Sequence, residues 1–363
     1  MNCLISCAQQ QDSSQIDFAK LNHYFDSVNI EIKKQTLDSI FKEMVKKNHF
    51  NGILLVGQDT QLLYVNWNGY ANYQTKQKLN RNSQYELASV SKQFTAVSIL
   101  KLYEQGLLNL EDTIDKYITG FPYPQITIDQ LLNHSSGLPD YLEFSQLWHK
   151  NESFYLDNDS LLKMMQKYRP KALNNPGKIF EYSNTGYAIL ALIIEKVSGL
   201  SFAEFLQKNI FEKLQMNSTF IYGKGMFAQN ANTIGHRSNY SVYKRDYMSK
   251  IYGDKAIFTT ADDLWKWNRA LDNGSILSDS LLHLAFMPKH VDEPIEANYG
   301  YGWRLSLDKD SNQLVYHGGL WNGNNTLFCK RLSDKTCVII LSNVFNRSFK
   351  GRNNQILDLI SSL

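Results

Sequence analysis

The chain has 363 residues, with 43% hydrophobic and 20% charged residues and a formal net charge of +3. That length buries a sizeable core, and the composition is ordinary for a globular protein. So small a charge gives no electrostatic footprint for nucleic acid, and no apolar run approaches the roughly 18 residues of a membrane span.

At the N-terminus, "LISC" (4–7) has the form of a lipobox, a short apolar stretch and a small residue before Cys7. The polar "AQQQDSSQ" follows, yet the charged segment and longer apolar segment of a signal peptide do not precede it. Two readings stay open: a reading frame that starts late, with a lipid anchor at Cys7, or an accidental match. The first puts the protein in the cell envelope or periplasm, the second in the cytoplasm. Residues 1–30 are expected as leader or linker, and 31–363 as the folded domain. "TLDSIFKEMVKK" (36–47) sets Leu37, Ile40, Phe41 and Met44 on one helical face. Residues 50–72 hold two β-rich runs around Gly57, Gln58 and Asp59, which predicts a hairpin.

From Ser91 to Gln105 apolar residues crowd a helical period, and Gly106 is placed to end it. Residues 107–240 are mainly helix and loop. "TIDQLLNHSSGLPDY" (127–141) predicts a short helix running into a turn-rich loop, and "NTGYAILALIIEKVSG" (184–199) a long apolar helix closed by Gly199. Four strands follow at 301–307, 312–318, 325–332 and 335–343, then a helix at 353–363. This order predicts an α+β fold: an antiparallel sheet built from both termini, with terminal helices on its face and a helical lobe inserted at about 105–240. The cleft between the lobes is the expected binding site. Of the four cysteines, Cys3 and Cys7 lie in the leader. Cys329 and Cys337 are expected on neighbouring strands as buried free thiols, and no metal-type spacing occurs.

Ser-x-x-Lys occurs six times, starting at Ser39, Ser89, Ser98, Ser160, Ser241 and Ser306. About two matches are expected by chance, so context must choose among them. Ser89 stands where the extended "QYELA" meets a helix, with Lys92 one turn on and on the same face. A helix N-terminus favours developing negative charge, and a lysine there can take the serine proton if burial or nearby cations favour its neutral form. Tyr-x-Asn occurs at Tyr64, Tyr70 and Tyr182; the first two fall in or just after the early hairpin, whereas Tyr182 lies in a loop before the apolar helix. His-x-Gly occurs once, at His317, where a strand is expected to end. "HSSG" (134–137) is taken as a loop that shapes the cleft.

Ser89-Val90-Ser91-Lys92, Tyr182-Ser183-Asn184 and His317-Gly318-Gly319 come in an order that resembles the serine β-lactamase and penicillin-binding-protein superfamily. The motif versions, with "LLNHSSGLPDY", "GDKAIFTTADDLWKW" and "YGYGWRL", are similar to the branch of class C β-lactamases, D-Ala-D-Ala carboxypeptidases and family VIII esterases. The resemblance spans about residues 35 to 350. It implies a serine hydrolase working through an acyl-enzyme on an ester, amide or β-lactam carbonyl of a small molecule or peptide, without metal or cofactor. It implies Ser89 as nucleophile, Lys92 as its activator and Tyr182 as general base or relay. Asn184, His317, Gly318, Gly319 and Leu320 would bind substrate, with the N–H groups of Ser89 and Leu320 holding the oxyanion. A carboxypeptidase or β-lactamase proper is the alternative within this class; a non-catalytic binder of penicillin or peptidoglycan is the alternative outside it. Oligomeric state is left open.

The third motif carries an expectation about substrate. Many relatives place lysine where His317 stands, and a histidine with an ordinary pKa near 6.5 is mostly neutral at pH 7.5. With Leu320 and Trp321 as apolar surface, the site is expected to prefer a neutral p-nitrophenyl ester to a cephalosporin, unless Arg304 or Arg331 folds into the cleft.

Overall fold

Helix α1 (Phe18–Asn48) leads into the hairpin of β1 (Gly52–Gln58) and β2 (Gln61–Asn68). The computed structural model describes residues 18–148, 155–222 and 231–345; "LISC" and the expected helix at 353–363 lie outside them. Helix α1 starts well before the amphipathic stretch at 36–47. Residues 18–30, expected as linker, contain no glycine or proline to stop a helix and form its first turns. A small pair, β3 (Tyr70–Asn72) and β4 (Gln77–Lys78), precedes β5 (Tyr85–Glu86) and the central helix α2 (Lys92–Glu104).

The inserted helices are α3 (Ile128–Leu132), α4 (Tyr141–Trp148), α5 (Asn158–Tyr168), α6 (Asn184–Ser198) and α7 (Phe202–Leu206). The chain returns through β6 (Phe220–Ile221) and β7 (Ile257–Thr259) to α8 (Ala261–Asp272) and α9 (Asp279–Phe286). It ends on β8 (Arg304–Leu307), β9 (Gln313–Trp321), β10 (Asn324–Arg331) and β11 (Thr336–Ser342). Glycine ends the two central helices as the sequence predicts: Gly106 just after α2 has φ +70°, and Gly199 after α6 has φ +69°.

The main sheet runs β2-β1-β11-β10-β9-β8, and every pair in it is antiparallel. Its two faces carry different cores. Leu314 and Tyr316 of β9 pack with Leu37 and Phe41 of α1 on one side. Val315 belongs to the larger core on the other side, with Val90, Phe94 and Val97 of the α2 region. By alternation, His317 and Gly319 face the larger core, while Gly318 and Leu320 face the α1 side. Cys329 and Cys337 do lie on neighbouring strands as buried free thiols, one in each core.

Strand β9 does not end at His317-Gly318 but runs on to Trp321. The glycines mark a close approach and not a turn. A Cβ on Gly319 would fall far inside contact distance of Leu87 O and Thr326 Oγ1. Only glycine lets the strand continue there beneath the chain that leads to Ser89. Past Tyr316, whose partner is Arg304, no described strand pairs with β9 on the β8 side, which leaves that edge open.

Candidate active site

Ser89 stands on a tight turn, Ala88–Ser91, wedged between β5 and α2. Ala88 has φ +49°, a left-handed conformation that costs a residue with a Cβ about 1 kcal/mol or more and turns the chain sharply at this point. The capping positions Leu87 and Ser91 make no side-chain cap bond, and the Ser89 hydroxyl instead accepts from Lys92 Nζ at 3.4 Å. Ser98, by contrast, donates back to Phe94 O inside α2, and Ser39 does the same to Gln35 O. Of these three serines, only Ser89 has its hydroxyl bonded to the lysine of its own pair.

Lys92 is fully buried. Its Nζ donates to Asn184 Oδ1 at 2.7 Å and to Asp254 O at 3.2 Å, besides Ser89 Oγ. Asn184, the first residue of α6, is itself held: its Nδ2 donates to Asp140 Oδ2 at 2.7 Å and its backbone N–H to the same oxygen at 3.1 Å. Asp140 Oδ1 accepts from Leu142 N–H at the start of α4. A carboxylate can only accept, so Asp140 fixes which end of the Asn184 amide faces Lys92. Burial raises the Asp140 carboxyl above its ordinary range, and the Asn184 bonds oppose that rise.

Tyr182 packs beside this pair, with Lys92 Nζ 4.9 Å from its ring centre. The His134 ring centre lies 4.3 Å from that of Tyr182. His134 is buried and accepts from Ser183 N–H through Nδ1 at 3.2 Å. Burial first, then the nearby Lys92 charge, pull its pKa well below the usual 6.5, so it is neutral. The loop expected to shape the cleft thus does so through a histidine that backs Tyr182.

His317 faces the same side, but its ring is buried and both nitrogens are engaged. Nδ1 lies 2.7 Å from Gly318 O, which can only accept, so Nδ1 carries the proton and Nε2 accepts from the Tyr299 hydroxyl at 3.0 Å. Burial, then Arg304 and Lys92, depress its pKa well below 6.5. Leu320 is 47% exposed on the α1 side, and Trp321 packs against the large core. The strand that was expected to end runs on, and its alternation turns the Leu320 side chain away, whereas Trp321 stays on the face that His317 occupies.

The cation that the motif lacks arrives from elsewhere. The Arg304 guanidinium lies 5.2 Å from the Tyr182 ring and 6.0 Å from the Tyr299 ring. Arg331 does not enter the cleft; it is paired with Asp308 and Asp334. Three residues of this site were not singled out from the sequence as site residues: Asp140, His134 and Tyr299. They sit inside "LLNHSSGLPDY" and "YGYGWRL", so the flanks held the signal, and Arg304, named from the sequence only as a cation that could fold into the cleft, lies in the second of them. Among the described residues no group of three His, Cys, Asp or Glu is placed to hold a metal ion.

A family model described as Beta-lactamase matches residues 37–360. The chain belongs to the beta-lactamase family. Penicillin-binding protein 4* of Bacillus subtilis is 33% identical over 326 residues, covering 86% of this chain and 72% of that protein. The putative penicillin-binding protein PbpX of Bacillus subtilis is 26% identical, covering 91% of this chain and 80% of that one. Among solved structures, a penicillin binding protein from Bacillus halodurans superposes with TM-score 0.77 at 23% identity, over 88% of this chain and 97% of the other. D-amino acid amidase from Ochrobactrum anthropi SV3 gives TM-score 0.75 at 21% identity, over 92% and 99%. These structures share the α+β fold, and the chain is a serine hydrolase acting on an ester, amide or β-lactam carbonyl.

Proposed function

We propose that Ser89 is the acylated nucleophile, that Lys92 takes its proton and that Tyr182 passes it to the leaving group. The Ser89 Oγ–acyl bond forms as the C–N or C–O bond of the substrate breaks; water then attacks the acyl carbon, the Oγ–acyl bond breaks, Ser89 regains its proton and the acid product leaves. The oxyanion sits between the N–H groups of Ser89 and Leu320, brought together by the close passage of Gly319 beneath Leu87 and Ala88. The observation that carries this reading is the setting of Lys92. The fully buried Nζ reaches three neutral oxygens, Ser89 Oγ among them, and no carboxylate among the described residues, so no ion pair ties it up when it takes the serine proton as the free amine. A fluorophosphonate should label the wild type and leave Ser89→Ala unmarked; a label retained by folded Ser89→Ala rejects the assignment.

We infer further that the preferred substrate bears a carboxylate, as a D-amino-acid peptide or a β-lactam does, ahead of a neutral ester. Arg304 supports this: it faces the Tyr182 side of the cleft with no ion pair among the described residues. The names of relatives, penicillin-binding proteins, fit the same class, since a penicillin carries a carboxylate. His317, neutral and fully bonded, then serves to hold Tyr299 and not to anchor charge. We place the protein at the cell envelope through a lipid on Cys7, which "LISC" supports. No helix among the described residues is long and apolar enough to cross a membrane. Detergent partition of the native gene product that is lost in Cys7→Ser tests the anchor; partition unchanged in Cys7→Ser refutes it.

A further inference from the structure

A cavity of about 490 Å³ lies between the β5–β7 ladder and the chain at 231–245, and the turn from β9 to β10 closes it on one side. Three side chains set its chemistry. Glu86 is fully buried, and its Oε1 has no hydrogen-bond partner. Its Oε2 meets only two long contacts, Arg245 Nη1 at 3.5 Å and Asn322 Nδ2 at 3.4 Å. Asn324 is 4% exposed, and its Oδ1 is also without a partner. Arg245 is partly open, with its guanidinium 4.0 Å from the Tyr222 ring centre and 5.2 Å from that of Phe258. Lys244 stands exposed on the same rim.

Buried polar atoms are nearly always satisfied, so two orphaned acceptors in one cavity ask for a ligand that brings donors. Burial weakens the acidity of Glu86, and a cationic donor would offset that penalty. Arg245 meets Glu86 only at 3.5 Å and is partly open, so its other N–H donors can take an anion. A plain amine would use none of those donors, and a plain acid could give Glu86 nothing. The volume suits a molecule of amino-acid or dipeptide size.

We propose that this cavity binds a zwitterion of the α-amino-acid class, its ammonium on Glu86 Oε1 and Asn324 Oδ1 and its carboxylate on Arg245. Glu86 stands three residues before Ser89, and Asn322 directly follows β9. A ligand here therefore ties together the two segments that carry the nucleophile and Leu320. The lining holds none of Ser89, Lys92, Tyr182 and His317, so the zwitterion site lies outside the residues assigned to the acyl substrate.

The test is calorimetric titration of the full chain after Ser89 has been blocked with a fluorophosphonate, using L-alanine, D-alanine, ethylamine and propionate as probes. One alanine enantiomer at least should bind the blocked protein, and ethylamine and propionate should bind roughly tenfold more weakly or worse. Arg245→Gln and Glu86→Gln should each weaken alanine binding by roughly tenfold or more. Arg245 lies on the rim, so its variant should fold and still take the fluorophosphonate. The proposal fails if neither alanine binds, if blocking Ser89 abolishes binding, if ethylamine equals alanine, or if Arg245→Gln binds alanine as the wild type does. Labelling of Ser89 reports separately on the catalytic assignment. Should Ser89 resist the label, the Arg245→Gln comparison on unblocked protein still decides for or against the cavity.

Discussion

Replacing Arg304 by glutamine should separate acidic from neutral substrates. The side chain keeps most of its length and hydrogen-bonding capacity but loses its charge. A carboxylate about 4 Å from a guanidinium gains ~4 kcal/mol at an effective dielectric of ~20. Arg304 is only partly buried, so solvent screening brings the expected loss to about 1.5–2 kcal/mol, or roughly 10- to 30-fold. That loss should appear in kcat/KM for a chromogenic cephalosporin, measured at low salt. A p-nitrophenyl butyrate assay on the same preparation should change by less than about threefold, since its acyl chain presents no charge. Equal losses on both substrates would mean that Arg304 only supports Tyr182 and Tyr299. No loss on the cephalosporin would remove the cation from substrate recognition, and with it the preference for a carboxylate.

Lys92→Ala and Tyr182→Phe should each lower kcat by on the order of 10²-fold or more, and the double variant should cost little beyond the worse single, as measured by steady-state kinetics. Fully additive losses would show separate roles. His317 and His134 are both held neutral, with folded pKa values well below the 6.5 that the unfolded chain has. The unfolded state therefore takes up protons first as pH falls, so stability is full above about pH 6.5 and is lost below it, by up to ~1.4 kcal/mol per histidine per pH unit. Melting curves from pH 7.5 to 5 should show this decline, and His317→Asn should flatten it; an unchanged slope contradicts the burial argument. Gly319→Ala should abolish fluorophosphonate labelling, because the added methyl displaces the Leu87–Ala88 segment. Labelling at the wild-type rate would show that the nucleophile turn does not depend on that contact.

The turn at Ser89 and the helix behind it were legible because both are local: an extended segment, a serine and a lysine one turn on need no tertiary knowledge. The strands were legible through alternation and turn residues. What the sequence did not show depends on distant chain meeting distant chain. Gly318 and Gly319 look like a strand end, yet Gly319 is dictated by Leu87, more than 200 residues earlier in the chain. Arg304 is an ordinary strand residue until folding sets it against Tyr182. Asp140 reads as a turn residue, and only its contact with Asn184 gives it a place beside Lys92. The burial of His317 under Tyr299 is hidden for the same reason, since it cannot be seen from "HGG".

The pairing of β1 with β11, from Gly52↔Ser342 to Gln58↔Thr336, has a consequence for biosynthesis. A ribosome delivers β1 long before β11, so the β1–β2 hairpin waits with one bare edge for nearly the whole of translation. Contacts of such sequence separation form slowly, and an unpaired edge invites pairing with other chains. The sheet can close only after the segment through Ser342 has left the exit tunnel. A chain cut short anywhere before β11 therefore loses the centre of its sheet and not a dispensable end.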